Sequence, residues 1–208
     1  MQTFIADAAK DAAANHIKDN ANQQVMCQGR PASYAEATSD LGAGGKALGE
    51  TAVAAGDFTL ADGDVDGRKL TVGQKTGVAV DVQGTWDHTA LVDTVSMELL
   101  SVAPLQVDEE GAAQAGAASA ITLRAAASGA DDAYNGQTIE IVEGPGAGEV
   151  RQIADYDGTT KIATVSSPWG VQPDVTSKYE VYGLQVQVAQ LMTMNAYDIT
   201  FRDSQVAA

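Results

Sequence analysis

The chain has 208 residues, of which 28 are aspartate or glutamate and 12 are lysine or arginine, so its formal net charge is −16. Such an excess of carboxylates repels phosphate backbones and anionic headgroups, so we expect neither nucleic acid nor membrane as a direct partner. Hydrophobic residues make up 45% of the chain and charged residues only 19%, which predicts packed globular structure rather than a disordered acidic tail.

Cysteine and histidine are scarce. Cys27 is the single cysteine, and His16 and His88 are the two histidines, so an internal disulfide is excluded and a structural zinc site lacks ligands. A bound metal would need oxygen ligands, and we predict no cofactor. The N-terminal segment lacks the charged and apolar regions of a signal peptide, and no apolar run is long enough to span a bilayer. We therefore expect the chain to be made in the cytoplasm.

Residues 3–19 are predicted to form a helix that Thr3 could cap. Its apolar stripe would consist of Phe4, Ile5, Ala8, Ala9, Ala12, Ala13, His16 and Ile17. A stripe composed mainly of alanine buries little area, so we expect the helix to be an accessory element that lies close against another backbone surface.

The next segments are short. Residues 24–27 are predicted to form a strand, and Ser33 followed by Glu36 fits a capping box that indicates one helical turn. Residues 41–49, LGAGGKALG, are predicted to form a flexible glycine-rich loop.

From residue 58 the apolar pattern changes to a period of two, which is typical of half-buried strands. The alternating positions are Phe58/Leu60, Leu70/Val72, Val78/Val80/Val82, Ala90/Val92 and Leu99/Ser101/Ala103. Glycine-containing turns separate these runs. Several short strands at such spacing predict a β-sandwich or barrel.

Residues 108–120, DEEGAAQAGAASA, contain no large apolar side chain and are predicted to be a linker or exposed loop. Beyond it five more strands are predicted, at 121–123, 138–142, 149–156, 161–165 and 179–182, with Asp157-Gly158 as a type I′ hairpin turn. The C-terminal segment has period two and is too short to fold alone, so it should pair back into the first sheet.

The predicted fold is therefore mainly β. A main β domain, sandwich or barrel-like, with an N-terminal helical arm would comprise residues 1–112 and 184–208, and a small inserted five-stranded β domain would comprise residues 113–183.

A calcium loop is suggested by Asp62, Asp64 and Asp66, which match the first half of the D-x-D-x-D-G pattern. The second half fails, because the twelfth position, where a bidentate glutamate is required, is Gly73. The alternative is an Asp/Gly-rich turn between two strands, and we favour this interpretation.

Catalytic patterns are weak. Asp87-His88 could supply the base and the orienting acid of a triad, but no nucleophile elbow accompanies them, and a buried or edge histidine is the commoner explanation. The acidic pairs Glu109-Glu110 and Asp131-Asp132 lie in Gly/Ala-rich stretches and are predicted to be solvated. Trp86, Trp169 and Tyr134 could stack on a sugar, although scattered aromatics more often fill small β cores. We predict that the chain is not an enzyme. The alternative is a calcium-dependent or carbohydrate-processing enzyme that uses the three aspartates or an acidic pair.

Several segments resemble, in order, small virion structural proteins of tailed bacteriophages. They are QGRPASYAEA (28–37), GDFTLADG (56–63), GRKLTV (67–72), TALVD (89–93) and NAYDI (195–199). The predicted insert resembles a β module of phage fibres and other exposed phage proteins, through DAYNG (132–136), GPGAG (144–148), RQIADYDGTTK (151–161) and ATV (163–165).

The resemblance implies a capsid decoration (cement) protein on the outer surface of the phage head, made in the bacterial host. Its implied partners are the major capsid protein and further copies of itself. Because segments without their own core can order on binding, we predict partner contacts at Phe4, Ile5, Ile17, Gly44 and Lys46. The alternative is a tail, neck or baseplate component whose insert attaches a fibre or binds a receptor.

Overall fold

The computed structural model describes residues 6–42 and 44–202. Within them the helices are α1 (Asp7–Asn20), α2 (Tyr34–Thr38) and a 3-10 turn (Ala55–Asp57). The strands are β1 (Gln23–Cys27), β2 (Ala47–Ala52), β3 (Phe58–Asp62), β4 (Arg68–Val72), β5 (Lys75–Ala79), β6 (Gly84–Trp86), β7 (His88–Asp93), β8 (Glu98–Pro104), β9 (Val107–Ala112), β10 (Ala115–Ala117), β11 (Ala120–Thr122), β12 (Thr138–Glu143), β13 (Val150–Asp157), β14 (Ile162–Val165), β15 (Lys178–Tyr182), β16 (Leu184–Val186), β17 (Leu191–Met194) and β18 (Tyr197–Phe201). The predicted class, mainly β with an N-terminal helix, is confirmed.

The chain is organised as two compact units. The first comprises Met1–Gly84, His88–Ala103 and Gln187–Ala208, and the second comprises Thr85–Asp87 and Pro104–Val186. Each unit has its own cluster of buried apolar side chains. The second unit therefore extends beyond the predicted 113–183 at both ends and includes a short segment that precedes β7.

The first unit contains three antiparallel sheets. Their strand orders are β2-β1-β7-β8, β18-β4-β3 and β17-β5. The pairing of β17 with β5 and of β18 with β4 brings the C-terminal strands back to strands from the first half of the chain. In β4 the alternating residues Leu70 and Val72 are buried, whereas β1 and β7 are buried along almost their whole length.

Helix α1 packs on β3, β4 and β7 through a different face from the predicted one. Its buried side chains are Lys10, Ala14 and Ile17, whereas most of the alanines of the predicted stripe are exposed. The reason is that alanine is too small to define a face, so Ile17 and an ion pair set the orientation of the helix. In that pair the Arg68 Nε lies 2.6 Å from an Asp11 carboxylate oxygen. The predicted cap Thr3 lies outside the described residues, within which no helix is long and apolar enough to cross a membrane.

The predicted capping box at α2 is confirmed. Ser33 is the N-cap residue, and its Oγ accepts a hydrogen bond of 3.2 Å from the backbone N–H of Glu36. The Glu36 carboxylate accepts from the N–H of Ala32 at 3.0 Å, so the box closes one residue earlier than the usual pattern.

The second unit has one antiparallel sheet whose strand order is β10-β11-β14-β13-β12-β15-β9. Its two outer strands, β9 and β10, are consecutive in the chain and are separated only by Ala113 and Gln114. The N–H of Ala113 donates to the carbonyl of Ser177 beside β15, and the N–H of Gln114 donates to that of Thr122 in β11. One continuous segment, 107–117, thus joins both sides of the sheet and closes it into a barrel.

The prediction that residues 108–120 form a linker or loop is wrong, and the sheet has seven strands rather than the five predicted. The residues are small, and small side chains are weak strand signals. Backbone pairing overrides this weak propensity, because β9 hydrogen-bonds to β15 and β10 to β11. The interior side chains come from all around the sheet: Ala113, Ile121, Leu123, Ile139, Ile141, Ile153, Ala163, Val165, Tyr179 and Val181.

The predicted type I′ turn at Asp157-Gly158 is also wrong in detail. The β13–β14 connection has four residues, and its left-handed residue is Lys161, with φ of 61°. The Asp157 carboxylate accepts from the N–H groups of Thr159 at 2.8 Å and Thr160 at 3.0 Å. An Asx turn therefore replaces the expected two-residue loop.

The substitution Gly116→Ala should destabilise the second unit, because a β-carbon at Gly116 would lie 2.0 Å from the carbonyl oxygen of Pro173. We expect the free energy of unfolding to fall by about 1–3 kcal/mol. Trp86 and Trp169 are buried and both belong to this unit, so urea unfolding followed by tryptophan fluorescence measures the loss. Gly129→Ala, in the same unit, is the control and should change little, because the nearest atom to its new methyl group is the Lys161 Nζ at 3.8 Å. Equal effects of the two variants would contradict the close approach.

Candidate functional site

The Asp62–Gly67 turn joins β3 to β4. The N–H of Gly63 donates to the carbonyl of Gly67 at 2.9 Å, and Gly67 has a left-handed φ of 71°. A β-carbon there would lie 2.1 Å from the carbonyl oxygen of Phe201, so glycine is required by both conformation and space.

The three aspartates of this turn do not form a calcium cage. Asp62 pairs with Arg68, and an Asp64 carboxylate oxygen lies 2.7 Å from the Lys69 Nζ. Two carboxylates are thus held by separate cations. Along the described residues no group of three or more histidine, cysteine, aspartate or glutamate side chains is placed to hold a metal ion. The geometry is that of the Asp/Gly-rich turn favoured above, in which Asp66 also has a polar partner.

The predicted partner contacts are described only in part, because Phe4 and Ile5 lie outside the described residues. Ile17 is 8% exposed and packs in the core, so it is not part of the accessible surface. Gly44 is exposed, with a left-handed φ of 85°. The Lys46 Nζ lies 3.2 Å from a Glu36 carboxylate oxygen and donates to the carbonyl of Arg30, which ties it to its own unit.

The candidate aromatic and triad residues are mostly buried. Trp86, Trp169 and Tyr134 are 5%, 6% and 8% exposed, so none offers an open ring face for a sugar. Asp87 and His88 are buried too, at 3% and 8%. These positions fit core packing, as the alternative interpretation expected.

The two acidic pairs differ in solvent exposure. Asp131 and Asp132 are exposed and stabilise turns, the first by accepting from the N–H of Gly158 at 2.9 Å. Glu109 is only 5% exposed, so the prediction that it is solvated is wrong. Its neighbour Glu110 is exposed. Side chains alternate between the two faces of β9, and Glu109 lies on the inner face. Its burial could be predicted only if residues 107–112 were first assigned to a strand.

Glu109 is the centre of a buried polar cluster. The Arg124 Nε and Nη2 atoms lie 2.6 Å and 3.0 Å from its two carboxylate oxygens. The Tyr179 hydroxyl donates to it at 3.0 Å, and the N–H of Arg124 donates to the same Tyr179 oxygen at 2.9 Å. Burial raises the pKa of the Tyr179 hydroxyl, which therefore stays protonated and acts as a donor at neutral pH. The cluster is fully paired, so it holds the barrel interior together.

Glu149 and Arg151 fix the long loop after β14. The Glu149 carboxylate accepts from the N–H groups of Gly170 at 2.7 Å and Val171 at 2.5 Å. The Arg151 Nε donates to the carbonyl of Pro168 at 3.0 Å, and its guanidinium lies 5.4 Å from the centre of the Trp169 ring. These contacts fix the loop to the barrel and leave Val171 exposed to solvent.

An open groove lies beside β8 in the first unit, with a volume of about 470 Å³. Its lining residues are Arg30, Pro31, Ala32, Leu99, Leu100, Ser101 and Val102. Residues 99–103 are uncharged and half-buried, and β8 is the outer strand of its sheet among the described residues. The groove is therefore bordered by a strand with a free hydrogen-bonding edge.

Arg30 is an unpaired cation in an acidic protein. Nine lysines and arginines lie within 4.0 Å of a carboxylate: Lys10, Lys18, Lys46, Arg68, Lys69, Lys75, Arg124, Arg151 and Lys178. Lys161 instead donates to two carbonyl groups. In the described part of the chain, the side chains of Arg30 and Arg202 have no carboxylate or carbonyl partner. A free guanidinium on the groove is available to a carboxylate from another molecule.

No protein-family model, curated protein or solved structure matches this chain.

Replacing Glu109 with Gln should lower the free energy of unfolding of the second unit by about 1–3 kcal/mol, because Arg124 and the Tyr179 hydroxyl lose a charged acceptor. The solvent exposure of Arg124 keeps the loss below that of a fully buried pair. Urea unfolding monitored by tryptophan fluorescence measures it. The control Glu110→Gln removes the same charge from the next, exposed residue and should cost less than about 0.5 kcal/mol. Similar losses in the two variants would contradict the role given to Glu109.

The stability contributed by Glu149 should depend on pH. Hydrogen bonds from the N–H groups of Gly170 and Val171, and then Arg151, lower the pKa of this carboxyl from its ordinary value of 4.5. The ionised form is therefore favoured by folding, and its contribution is present above pH 4.5 and is lost as the pH falls through the lowered pKa of the folded state.

We expect Glu149→Gln to be less stable than the parent at pH 7, with the difference shrinking below pH 4.5. Thermal unfolding at a series of pH values measures this. Glu143→Gln, at a carboxylate that is 64% exposed, should show a small difference throughout. A Glu149→Gln difference that is independent of pH would contradict the assignment.

Proposed function

We propose that this chain is a bacteriophage virion structural protein, and specifically a capsid decoration protein on the outer head surface. The resemblance of its segments to small virion proteins motivates the proposal. The observation that carries it is the contrast between the two units: the first has an open strand edge beside a groove, and the second is a closed barrel.

This contrast suits a different role for each unit, namely docking for the first and exposure to solvent for the second. A free strand edge can extend a sheet into a neighbouring molecule, so it suits docking on a lattice. A closed barrel has no such edge, so it can project into solvent at high local density without joining its neighbours. A protein present in many copies on a particle needs both properties.

The charge distribution is consistent with an exposed position. Most described cations are already paired with carboxylates, so the surplus negative charge of −16 is carried by surface carboxylates. Negative surfaces repel one another and keep crowded particles soluble. They also attract a basic docking surface, which we assign to the major capsid protein.

A second candidate position is the tail, neck or baseplate. The loop fixed by Glu149 exposes Val171 at 55% and Val175 at 63%, an apolar pair on a tethered loop of the second unit. Apolar side chains on a tethered loop suit receptor contact, because little conformational entropy is lost on binding. In this position the barrel would be the binding module.

Copy number per virion tests both positions. We expect quantitative mass spectrometry of purified particles to give a ratio of this chain to the major capsid protein near one, or a simple fraction of one. The tail tube protein of the same particles is the internal control. A ratio well below that of the tube protein would move the chain to the tail, neck or baseplate, and absence from purified particles would contradict the virion proposal.

A further inference from the structure

Four dipeptides of this chain combine an aspartate or asparagine with a following glycine. They are Asp62-Gly63, Asp66-Gly67, Asn135-Gly136 and Asp157-Gly158. At such a pair the glycine nitrogen can attack the carbonyl carbon of the preceding side chain and close a five-membered succinimide ring. Glycine favours this reaction because it has no side chain to obstruct the attack and adopts many backbone conformations. In a folded protein the reaction also requires that the attacking nitrogen is not held by another group.

Three of the four glycine nitrogens are held by hydrogen bonds. The N–H of Gly63 donates across its own turn at 2.9 Å, and the N–H of Gly136 donates to the carbonyl of Ile153 at 2.8 Å. The N–H of Gly158 donates to an Asp131 carboxylate oxygen at 2.9 Å. Each of these bonds must break before the nitrogen can attack, so these three pairs are protected by the fold.

Gly67 is the exception. Its carbonyl accepts the hydrogen bond from Gly63, but its own N–H has no acceptor among residues 6–42 and 44–202. Val65, which precedes Asp66, is 77% exposed, so water reaches the chain beside the pair. The Asp66-Gly67 pair therefore has both an unbound nitrogen and access to the water that later opens the ring.

We propose that Asp66 is a site of spontaneous isomerisation to isoaspartate. The Gly67 nitrogen attacks the side-chain carbonyl carbon of Asp66, a carbon–nitrogen bond forms, and the N–H proton leaves with one carboxyl oxygen as water. Water then adds to the main-chain carbonyl carbon of Asp66, whose bond to the nitrogen breaks, and the nitrogen regains a proton. Gly67 is then attached through the side-chain carbonyl. One water is released and one is consumed, so the product has the mass of the parent.

The product changes the β3–β4 turn, because the main chain now runs through the β-carbon of Asp66 and is one methylene group longer. Gly67 has little room for this change. A β-carbon on Gly67 would collide with the carbonyl oxygen of Phe201 and would lie 3.0 Å from the Cα of Arg202. Phe201 is also the register partner of Arg68, at the start of β4. We therefore expect isomerisation to loosen the end of β18 from β4.

Peptide mapping of the full chain after prolonged warm incubation tests the proposal. Electron-transfer fragmentation distinguishes isoaspartate from aspartate and assigns it to one residue, so the three Asp-Gly pairs serve as controls for one another. In the folded chain we expect isoaspartate to form at Asp66 about fivefold faster, or more, than at Asp62 or Asp157, since a backbone hydrogen bond contributes about that factor. In guanidinium chloride the three rates should approach one another.

A matched pair of asparagine variants gives an independent measurement. Asp66→Asn and Asp62→Asn close the same ring with loss of ammonia instead of water, so each chain gains about 1 Da when the ring opens. We expect the folded Asp66→Asn chain to gain this mass about fivefold faster than the Asp62→Asn chain. The Asn135-Gly136 pair, present in both variants, is the internal reference for a protected asparagine.

The structural consequence has its own control, Asp66→Glu. This variant keeps the charge but would have to close a six-membered ring, which forms more slowly, so residue 66 should stay unmodified. We expect backbone hydrogen exchange in β18 to be faster in the aged parent than in aged Asp66→Glu, and equal in fresh samples. Equal exchange in the two aged samples would contradict the effect on β18.

Faster reaction at Asp66 in the folded chain, with similar rates in the denatured chain, supports the proposal. Equal rates at the three pairs in the folded chain, a faster reaction at Asp62 or Asp157, or a ratio that unfolding leaves unchanged would each overturn it. None of these outcomes depends on whether the chain belongs to a virion, so this proposal and the decoration proposal fail separately.

Discussion

Backbone hydrogen bonding at strand edges is the constraint on which this structure depends. Every strand that is buried or half-buried needs partners for its N–H and C=O groups, and the two units meet this need in different ways. The second unit uses one segment, 107–117, to join both sides of its sheet, because β9 pairs with β15 and β10 pairs with β11. The first unit covers one edge of its main sheet with the chain after β5 and leaves β8 open. Whether a sheet is closed or open thus depends on which of its strands pair. The decoration proposal rests on β8, the strand edge that has no partner among the described residues.

Light side chains make these close pairings feasible. A β-carbon at Gly45 would lie 1.9 Å from the carbonyl oxygen of Ser39, and one at Gly158 would lie 2.5 Å from that of Ala130. At such positions the backbone of one segment touches the backbone of another, which only glycine allows. Much of the glycine in this chain is thus needed for contact rather than for loop flexibility. Side-chain bulk is concentrated instead in the barrel interior, where Tyr156 and Tyr179 are almost fully buried.

The elements that could be predicted from the sequence were those marked by large apolar side chains. Alternation around Leu70, Val92 and Ile139 predicted strands that the structure contains, and Ser33 with Glu36 predicted the capped turn. Prediction failed where alanine and glycine dominate, because those residues are compatible with helix, strand and loop alike. The face of α1 and the strands within 108–120 were wrong for this reason. The Glu109 cluster was missed because its burial depends on β9 pairing with β15, which no local pattern encodes. The groove at β8 was also invisible, since an unpaired edge is a property of the sheet and not of the strand.

The pairing of β9 with β15 also explains how a chain can accommodate a second unit in its middle. Val107, near the start of that unit, is the register partner of Tyr182, near its end. The entry and exit of roughly eighty residues are therefore about 5 Å apart across one ladder, by the usual spacing of strands. To the rest of the chain, the folded unit is equivalent to a short loop, so the entropy cost of closing it is far smaller than for an unstructured segment of that length. During synthesis this unit is complete before β17 and β18 emerge, and its folding would bring them within reach of β5 and β4.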